Sequence, residues 1–439
     1  MSKEQLEYFQ SLNIDTDSKY FRSHYRRGLL NEIDEDFVEE IQAYFLKHFN
    51  EKVDPITHIA FANLLDNKDV RVIPQLFYRK RFLNVFNDNA MNDMYRDKGL
   101  YDILINTDQK AHNVVKFTRG QFITDTNKFI DEHEAYDIIL NDRDEYILKP
   151  SDTNNGRGIT KLKVKDNKLY IDEEEVNLED LQKKVGYNYL IQRVIKQHEV
   201  MAKPHPNSVN TLRMATLRWK GKIHNVYTFA RFGHSGDIKD NAGAGGLVVG
   251  VKNDGTFMDY GIVRSKKVYE HPTTNIKISD FGQIPNMDEV NKFVRDLHRD
   301  LLLQNYVAWD IAIDQQGKPI FIENNFYGGS WNNQIALNQP MFGDLSDDIL
   351  QHVAKNEPVM IEKNLESISA RRRQRILKLR ENERKNKRTI NKMKKKIKRK
   401  NRKIKQLEKE NDKIHYLENE IKRIKNSKSW RYTRFFRRK

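Results

Sequence analysis

The chain contains no cysteine, which excludes disulfides, thiolate metal sites and cysteine nucleophiles together. It has no run of about 18 apolar residues, the length that a membrane-spanning helix needs. No apolar stretch of roughly 7–15 residues follows Met1-Ser2-Lys3-Glu4-Gln5, so a signal peptide is not expected and a cytoplasmic protein is. Neither G-x-x-x-x-G-K-[ST] nor G-x-G-x-x-G occurs, which sets aside P-loop and dinucleotide-binding architectures. H-E-x-x-H and clustered histidines are missing too, and zinc chemistry with them. Helix breakers run out early. The last glycine is Gly343 and the last proline Pro358, so nothing beyond interrupts a helix.

Acidic charge is also scarce, but only at one end. From Arg371 to Lys439 there are 31 basic and 7 acidic residues, net +24, whereas Met1 to Ala370 carries net −8. The overall +16 is therefore the sum of a mildly acidic body and a strongly basic tail, and does not mark the whole chain as a nucleic-acid binder. With 10% aromatics and 38% hydrophobic residues, the body has the means to bury a core.

Residues 16–110 read as helical and polar-aromatic, with Phe37, Ile41 and Phe45 spaced along one helix face. Lys68 to Phe77 reads as a loop or short extended piece, and a helix is expected over Met94 to Ile105. From Val114 the texture changes to short apolar runs between Gly, Asn and Asp. Strands are expected at 146–149, 159–164, 189–194, 211–218, 224–232 and 247–251, then a helix over 287–304 and a hairpin over 307–325. The fold class is α+β. Four regions follow: a helical part at 1–110, a catalytic domain at 111–360, a basic coil at 366–426 and an aromatic-basic end at 427–439.

The hairpin carries the sharpest signal. If Gln315-Gln316-Gly317-Lys318 is its loop, Asp314 pairs with Pro319 and Asp310 stands opposite Glu323, with Asn325 on the same face. Trp309, Ile311, Ile313, Ile320 and Ile322 then form an apolar opposite face. Two facing carboxylates repel, so a buried pair needs positive charge between them. A hard divalent cation such as Mg²⁺ fits, because it takes one or two carboxylates and keeps positions for water and phosphate. The alternative is that one carboxylate faces solvent.

Two weaker features accompany it. In Tyr146-Ile-Leu-Lys149-Pro150-Ser151 through Gly156-Arg157-Gly158-Ile159, a strand ends in a lysine before a glycine-containing turn. Its backbone N–H groups can surround phosphate oxygens, although a plain hairpin would read alike. A third segment joins His205, Ser208, Asn210 and Arg213 to Arg231 and then to Asp240, Asn241, Gly245 and Gly246. Arginines beside glycines suit a polyanion, and Asp240-Asn241 reads equally well as a simple turn.

In this order the motifs resemble the ATP-grasp superfamily, most closely the sugar-transfer-associated ATP-grasp family of bacterial surface-polysaccharide loci. The resemblance also rests on Asp97-Lys98-Gly-Leu-Tyr101, Leu190-Ile-Gln192-Arg193-Val194-Ile195 and Gln339-Pro-Met-Phe342-Gly343-Asp344. It implies two α+β subdomains closing on ATP. Lys149 would hold the α- and β-phosphates, with Lys98 as a second nucleotide lysine and Ser151, Gly156 and Gly158 in the phosphate turn. Gln192, Arg193, Val194 and Ile195 would form the hinge that meets adenine. Asp310, Glu323 and Asn325 match the family's set for one or two Mg²⁺, or Mn²⁺ in its place. Arg213 and Arg231 would face the transferred phosphoryl group. His205, Ser208, Asn210, Asp240, Asn241, Gly245 and Gly246 would meet the substrate. The hinge departs from the family in offering Gln197 and Glu199 where a ribose-binding acid is expected, and Asn324 precedes Asn325 where a small or apolar residue is common.

In the tail, Ile376, Leu379, Ile390, Met393, Ile397, Ile404, Leu407 and Ile414 occupy positions a and d of one heptad register. Glu383, Asn386, Lys400 and Asn411 share that seam, and the register slips by three residues before Leu417, Ile421 and Ile424. A weak coil joining copies of the chain is expected, about 100 Å long if helical throughout. Trp430, Tyr432, Phe435 and Phe436 alternate with Arg and Lys, which suits an anionic membrane surface and, less well, nucleic acid. The string from Ser427 to Thr433 also resembles a terminal motif found after coiled coils in polysaccharide glycosyltransferases.

The expected function is Mg·ATP-dependent ligation of a carboxylate, on a small molecule or glycan precursor, to an amine through an acyl phosphate. It would serve capsule or other surface-glycan synthesis. Alternatives are a kinase-like phosphotransfer at the same site and a non-catalytic, membrane-attached scaffold.

Overall fold

The computed structural model describes residues 2–153, 156–236, 245–366 and 368–426. Asp240, Asn241 and the segment 427–439 lie outside these. Two units are separated, Met1–Lys363 and Asn364–Lys439.

The first unit opens with helices Lys3–Ser11, Lys19–Arg26, Glu35–Phe49 and Ile56–Leu65. Ser2, Ser18 and Asp34 start the first three by accepting a backbone N–H of the first turn. Phe37, Ile41 and Phe45 are buried on one face, as their spacing requires. The single helix expected over Met94 to Ile105 is broken into Asn92–Tyr95, a 3₁₀ turn at Lys98–Leu100, and Tyr101–Leu104. The cause is local. The Asp97 carboxylate accepts the N–H of Gly99 and begins a new turn there.

An eight-stranded sheet comprises β1 (Asn113–Thr118), β2 (Gln121–Thr124), β3 (Phe129–Ile130), β4 (Glu145–Pro150), β5 (Thr160–Lys165), β6 (Lys168–Ile171), β7 (Glu174–Val176) and β8 (Asn188–Arg193). Its order is β3-β2-β1-β8-β4-β5-β6-β7. A seven-stranded sheet follows, with β9 (Thr211–Trp219), β10 (Lys222–Phe232), β11 (Leu247–Val251), β12 (Phe257–Val263), β13 (Lys266–Val268), β14 (Tyr306–Ile313) and β15 (Pro319–Asn325), ordered β13-β12-β11-β10-β9-β14-β15. The six expected strands are present within a residue or two. The helix expected over 287–304 stops at Asp300.

Strand alternation sorts the cores. Ala215, Leu217, Tyr227, Phe229 and Tyr306 face the N-terminal helices and share their core. Leu212, Met214, Ala230, Trp309 and Ile311 face the opposite way, onto helix Met287–Asp300. Val115, Phe117, Leu148, Tyr189 and Ile191 form a third core under the eight-stranded sheet, with helices Glu132–Asp142 and Leu178–Val185. What remains of the two inner faces forms a cavity between the sheets.

In the second unit, helix Ile368–Asn426 runs for 59 residues. Its seam residues Ile376, Leu379, Ile390, Met393, Ile397, Ile404, Leu407 and Ile414 are each 48–60% exposed. Among the described residues, no helix is long and apolar enough to cross a membrane.

Candidate active site

The cavity is built on one row of paired residues. Arg213 on β9 faces Asp310 on β14, which faces Glu323 on β15. Lys98 extends the row, its Nζ 3.3 Å from Glu323 Oε2. Arg213 also forks onto both Asp310 oxygens through Nε and Nη2. Arg231 Nη2 donates to Asp310 Oδ2 at 2.8 Å. The chain itself thus supplies positive charge on either side of the carboxylate pair. Burial alone would raise the Asp310 carboxyl, but Arg213 and Arg231 outweigh it and hold it down at about 2.

The route to this pairing differs from the expected one. Ile313, not Asp314, pairs with Pro319, because the Asp314 carboxylate closes a longer loop by accepting from the N–H groups of Gln316 and Lys318. A bulge between Asp310 and Ile311 and their partners then restores the register. Asp310 still meets Glu323, but Phe321 takes the core position and Ile322 joins the cavity wall. Ile322, expected on the apolar face away from the carboxylates, thus lies on the carboxylate side instead.

Asn325 Nδ2 lies 3.5 Å from Asp310 Oδ2 and 3.4 Å from Glu323 Oε1. Two carboxylates and one amide oxygen, after a rotation of the Asn325 amide, form a partial shell. No group of three or more His, Cys, Asp or Glu that would hold a metal by itself exists among the described residues. This set fits Mg²⁺ completed by water and phosphate oxygens rather than a closed protein cage.

On the opposite wall, Lys149 is the last residue but one of β4 and is 5% exposed. Burial, together with nearby Lys98, lowers its ammonium to about 7 despite Glu323. Lys98 Nζ also donates to Thr153 O at 2.9 Å, and Lys98 N to Ser151 O, which tie the lysine turn to the helical segment. Gly158 has φ +78°, and a Cβ there would stand 2.7 Å from Pro150 Cγ, so the turn requires glycine.

Lys98, Lys149, Gly156, Gln192, Arg193, Ile195, Arg213, Arg231, Asp310, Glu323 and Asn325 all line this one cavity. Ser151, Gly158 and Val194 are not among the residues that line it. The Arg193 guanidinium turns aside to bind Asp142. His205, Ser208 and Asn210 do not line the cavity. His205 Nδ1 bonds Ser208 Oγ at 2.8 Å, which donates to Asn210 Oδ1 at 2.6 Å. Asn210 Nδ2 donates to Met201 O and His205 O, so the network is satisfied internally. Gly245 and Gly246 precede β11, where a side chain at Gly245 would meet Arg264 and His234. Gln197 is also committed, bonding Ser208 O and Asn210 N. Sequence reasoning missed Ala111, Ile147, Ile159, Val209 and Thr211. Ile147 could have been found by strand alternation from Lys149.

Two sheets thus enclose one cavity lined by lysines, arginines and paired carboxylates. The family described as sugar-transfer associated ATP-grasp matches residues 77–351, and the chain belongs to it. Its fold is accordingly ATP-grasp. Among solved structures, the VanG D-Ala:D-Ser ligase from Enterococcus faecalis is similar at 13% identity and TM-score 0.39, over 62% of this chain and 64% of that one. A D-alanine–D-alanine ligase from Bacillus anthracis is similar at 12% and 0.33, over 63% and 72%. D-cycloserine synthetase DcsG is similar at 10% and 0.31, over 61% and 70%. No curated protein matches the chain.

Proposed function

We propose that the chain is a Mg·ATP-dependent ligase that activates a substrate carboxylate as an acyl phosphate. The observation that carries this reading is the single row Arg213–Asp310–Glu323–Lys98 facing Lys149 across one cavity. Mg²⁺ held by Asp310, Glu323 and Asn325 would neutralise phosphate oxygens. Lys149 and Lys98 bind the polyphosphate, and the Arg193–Ile195 backbone receives the base. Arg213 and Arg231 offset charge on the moving phosphoryl group. The carboxylate oxygen attacks the γ-phosphorus and the bond to the β–γ bridging oxygen breaks, releasing ADP. An amine then attacks the acyl carbon, loses a proton and displaces inorganic phosphate.

The substrate class we favour is a carboxylate-bearing precursor of a bacterial surface glycan, in keeping with the family's association with sugar transfer. The basic tail would pair two copies of the chain through its heptad seam and bring them to an anionic membrane surface. Calorimetry with Mg·ATP tests the core of the proposal. Asp310→Asn or Glu323→Gln should abolish Mg²⁺-dependent binding, while removal of residues 366–439 leaves it intact. Unchanged affinity in both substituted proteins would overturn the metal assignment. Screening carboxylates and aminosugars for ADP release would identify the acceptor.

A further inference from the structure

A buried polar chain runs behind the nucleotide wall, and the function proposed above does not use it. Asp102 lies in helix Tyr101–Leu104 with its side chain 7% exposed. Its Oδ2 accepts from Lys116 Nζ at 2.9 Å and from Asn113 Nδ2 at 2.8 Å. Lys116 is held at its other side by Asn127 Oδ1 at 2.7 Å, which keeps it out of the cavity although it lies on the cavity-facing side of β1. A carboxylate paired with a lysine can only accept, so Asn113 must turn its NH₂ toward Asp102. The Asn113 carbonyl then points away and accepts Gln192 Nε2 at 2.6 Å. Turning the Asn113 amide over would set oxygen against oxygen at Asp102 and NH₂ against NH₂ at Gln192. With its NH₂ committed, Gln192 has Oε1 left, and among the described residues no donor reaches that oxygen. Gln192 lines the cavity beside Ile147 and Arg193, at the hinge.

We infer that Asp102, acting through Asn113, fixes the amide orientation of Gln192 and thereby selects a nucleobase bearing an exocyclic amino group. The wall presents an acceptor at this point. A 6-amino purine supplies the matching donor, whereas a 6-oxo purine would set oxygen against oxygen. Asp102 and Asn113 are positioning residues, and the inference rests on the ATP-site reading above.

The test measures binding of Mg·ATP, Mg·GTP, the triphosphate of purine riboside and 2′-deoxyATP to the full chain. The wild type should prefer ATP over GTP and over purine riboside triphosphate by roughly tenfold or more, since an acceptor left unpaired is costly. Asp102→Asn retains the shape but frees both amides to rotate, and should reduce that preference severalfold. Gln192→Met removes the acceptor while leaving Asp102 in place, and should reduce it likewise if the first variant fails to fold. Binding of Mg·tripolyphosphate should be the same in all three proteins. Base preference unchanged in both variants would overturn the inference while leaving the ATP site standing. Discrimination against 2′-deoxyATP alone would assign Gln192 to ribose and overturn it too. Failure of the wild type to bind any nucleotide would instead remove the ATP reading.

Discussion

Arg213 grips Asp310 from the neighbouring strand, with Nη2 at 3.0 Å from Oδ2; the Asp310 side chain is almost wholly withdrawn from water and that of Arg213 largely so. Glu323, next in the row, is more accessible and has Lys98 as its cationic neighbour. The two carboxylates therefore share one proposed task but differ in structural debt.

Removing one partner of a buried pair leaves the other charge uncompensated. Asp310→Asn should destabilise the body by about 3 kcal/mol, because the buried Arg213 fork and Arg231 both lose this carboxylate. Glu323→Gln should cost no more than about 1 kcal/mol. Urea denaturation of both variants checks this. Equal losses would mean that the arginine fork contributes nothing specific to stability.

Lys149 should make nucleotide affinity depend on pH. Its ammonium is lowered to about 7 by burial and by Lys98, so above that pH the empty site is increasingly neutral there. A bound triphosphate favours the charged form, so binding takes up a proton and affinity falls as pH rises above about 7. The limiting slope is about tenfold per pH unit. Calorimetry in buffers of different ionisation enthalpy measures the proton directly. Lys149→Met should abolish the dependence, and a flat wild-type profile would refute it.

Gly158→Ala would place a Cβ against Pro150 at a φ of +78°. The turn must then rearrange or remain strained by about 1–3 kcal/mol. Weaker polyphosphate binding is expected, with the strands on either side intact by circular dichroism. Full affinity would show that the loop backbone plays no part.

For the tail, Ile397→Lys with Ile404→Lys puts two cations into the heptad seam. Sedimentation should shift from dimer to monomer, with nucleotide binding unaffected. A wild type that is monomeric at all concentrations would defeat the coil proposal.

The aromatic-basic end should bind anionic vesicles, weakening as salt rises. Deletion of residues 430–439 should remove that binding. Retention after deletion would discard the interfacial reading.

The carboxylate pair shows how far local pattern reaches. Asp310 opposite Glu323 follows from strand alternation and a short hairpin, yet the hairpin is longer than expected and a bulge makes good the difference. Side-chain hydrogen bonds of Asp314 decide that, and they do not announce themselves in a hydrophobic pattern. Likewise Lys98 was visible as a motif, but the Asp97 turn that presents it was not. The family resemblance implies a substrate role for His205, Ser208 and Asn210, and their hydrogen-bond partners are not legible in the sequence pattern. Folding supplies those partners from Met201, Gly233 and Ser235.

The amino-acid sequence alone determined the strand periods, the absence of cysteine chemistry, the division between a −8 body and a +24 tail, and the identity of the paired carboxylates. Each of these depends on spacing or composition, which act locally along the chain. Only the tertiary structure decided which cations meet those carboxylates, which lysine of the inner faces is spent on a buried ion pair and which stays in the cavity, and how the Gln192 amide is turned. These outcomes depend on groups from distant strands meeting in a poorly solvated space, where each donor must find an acceptor.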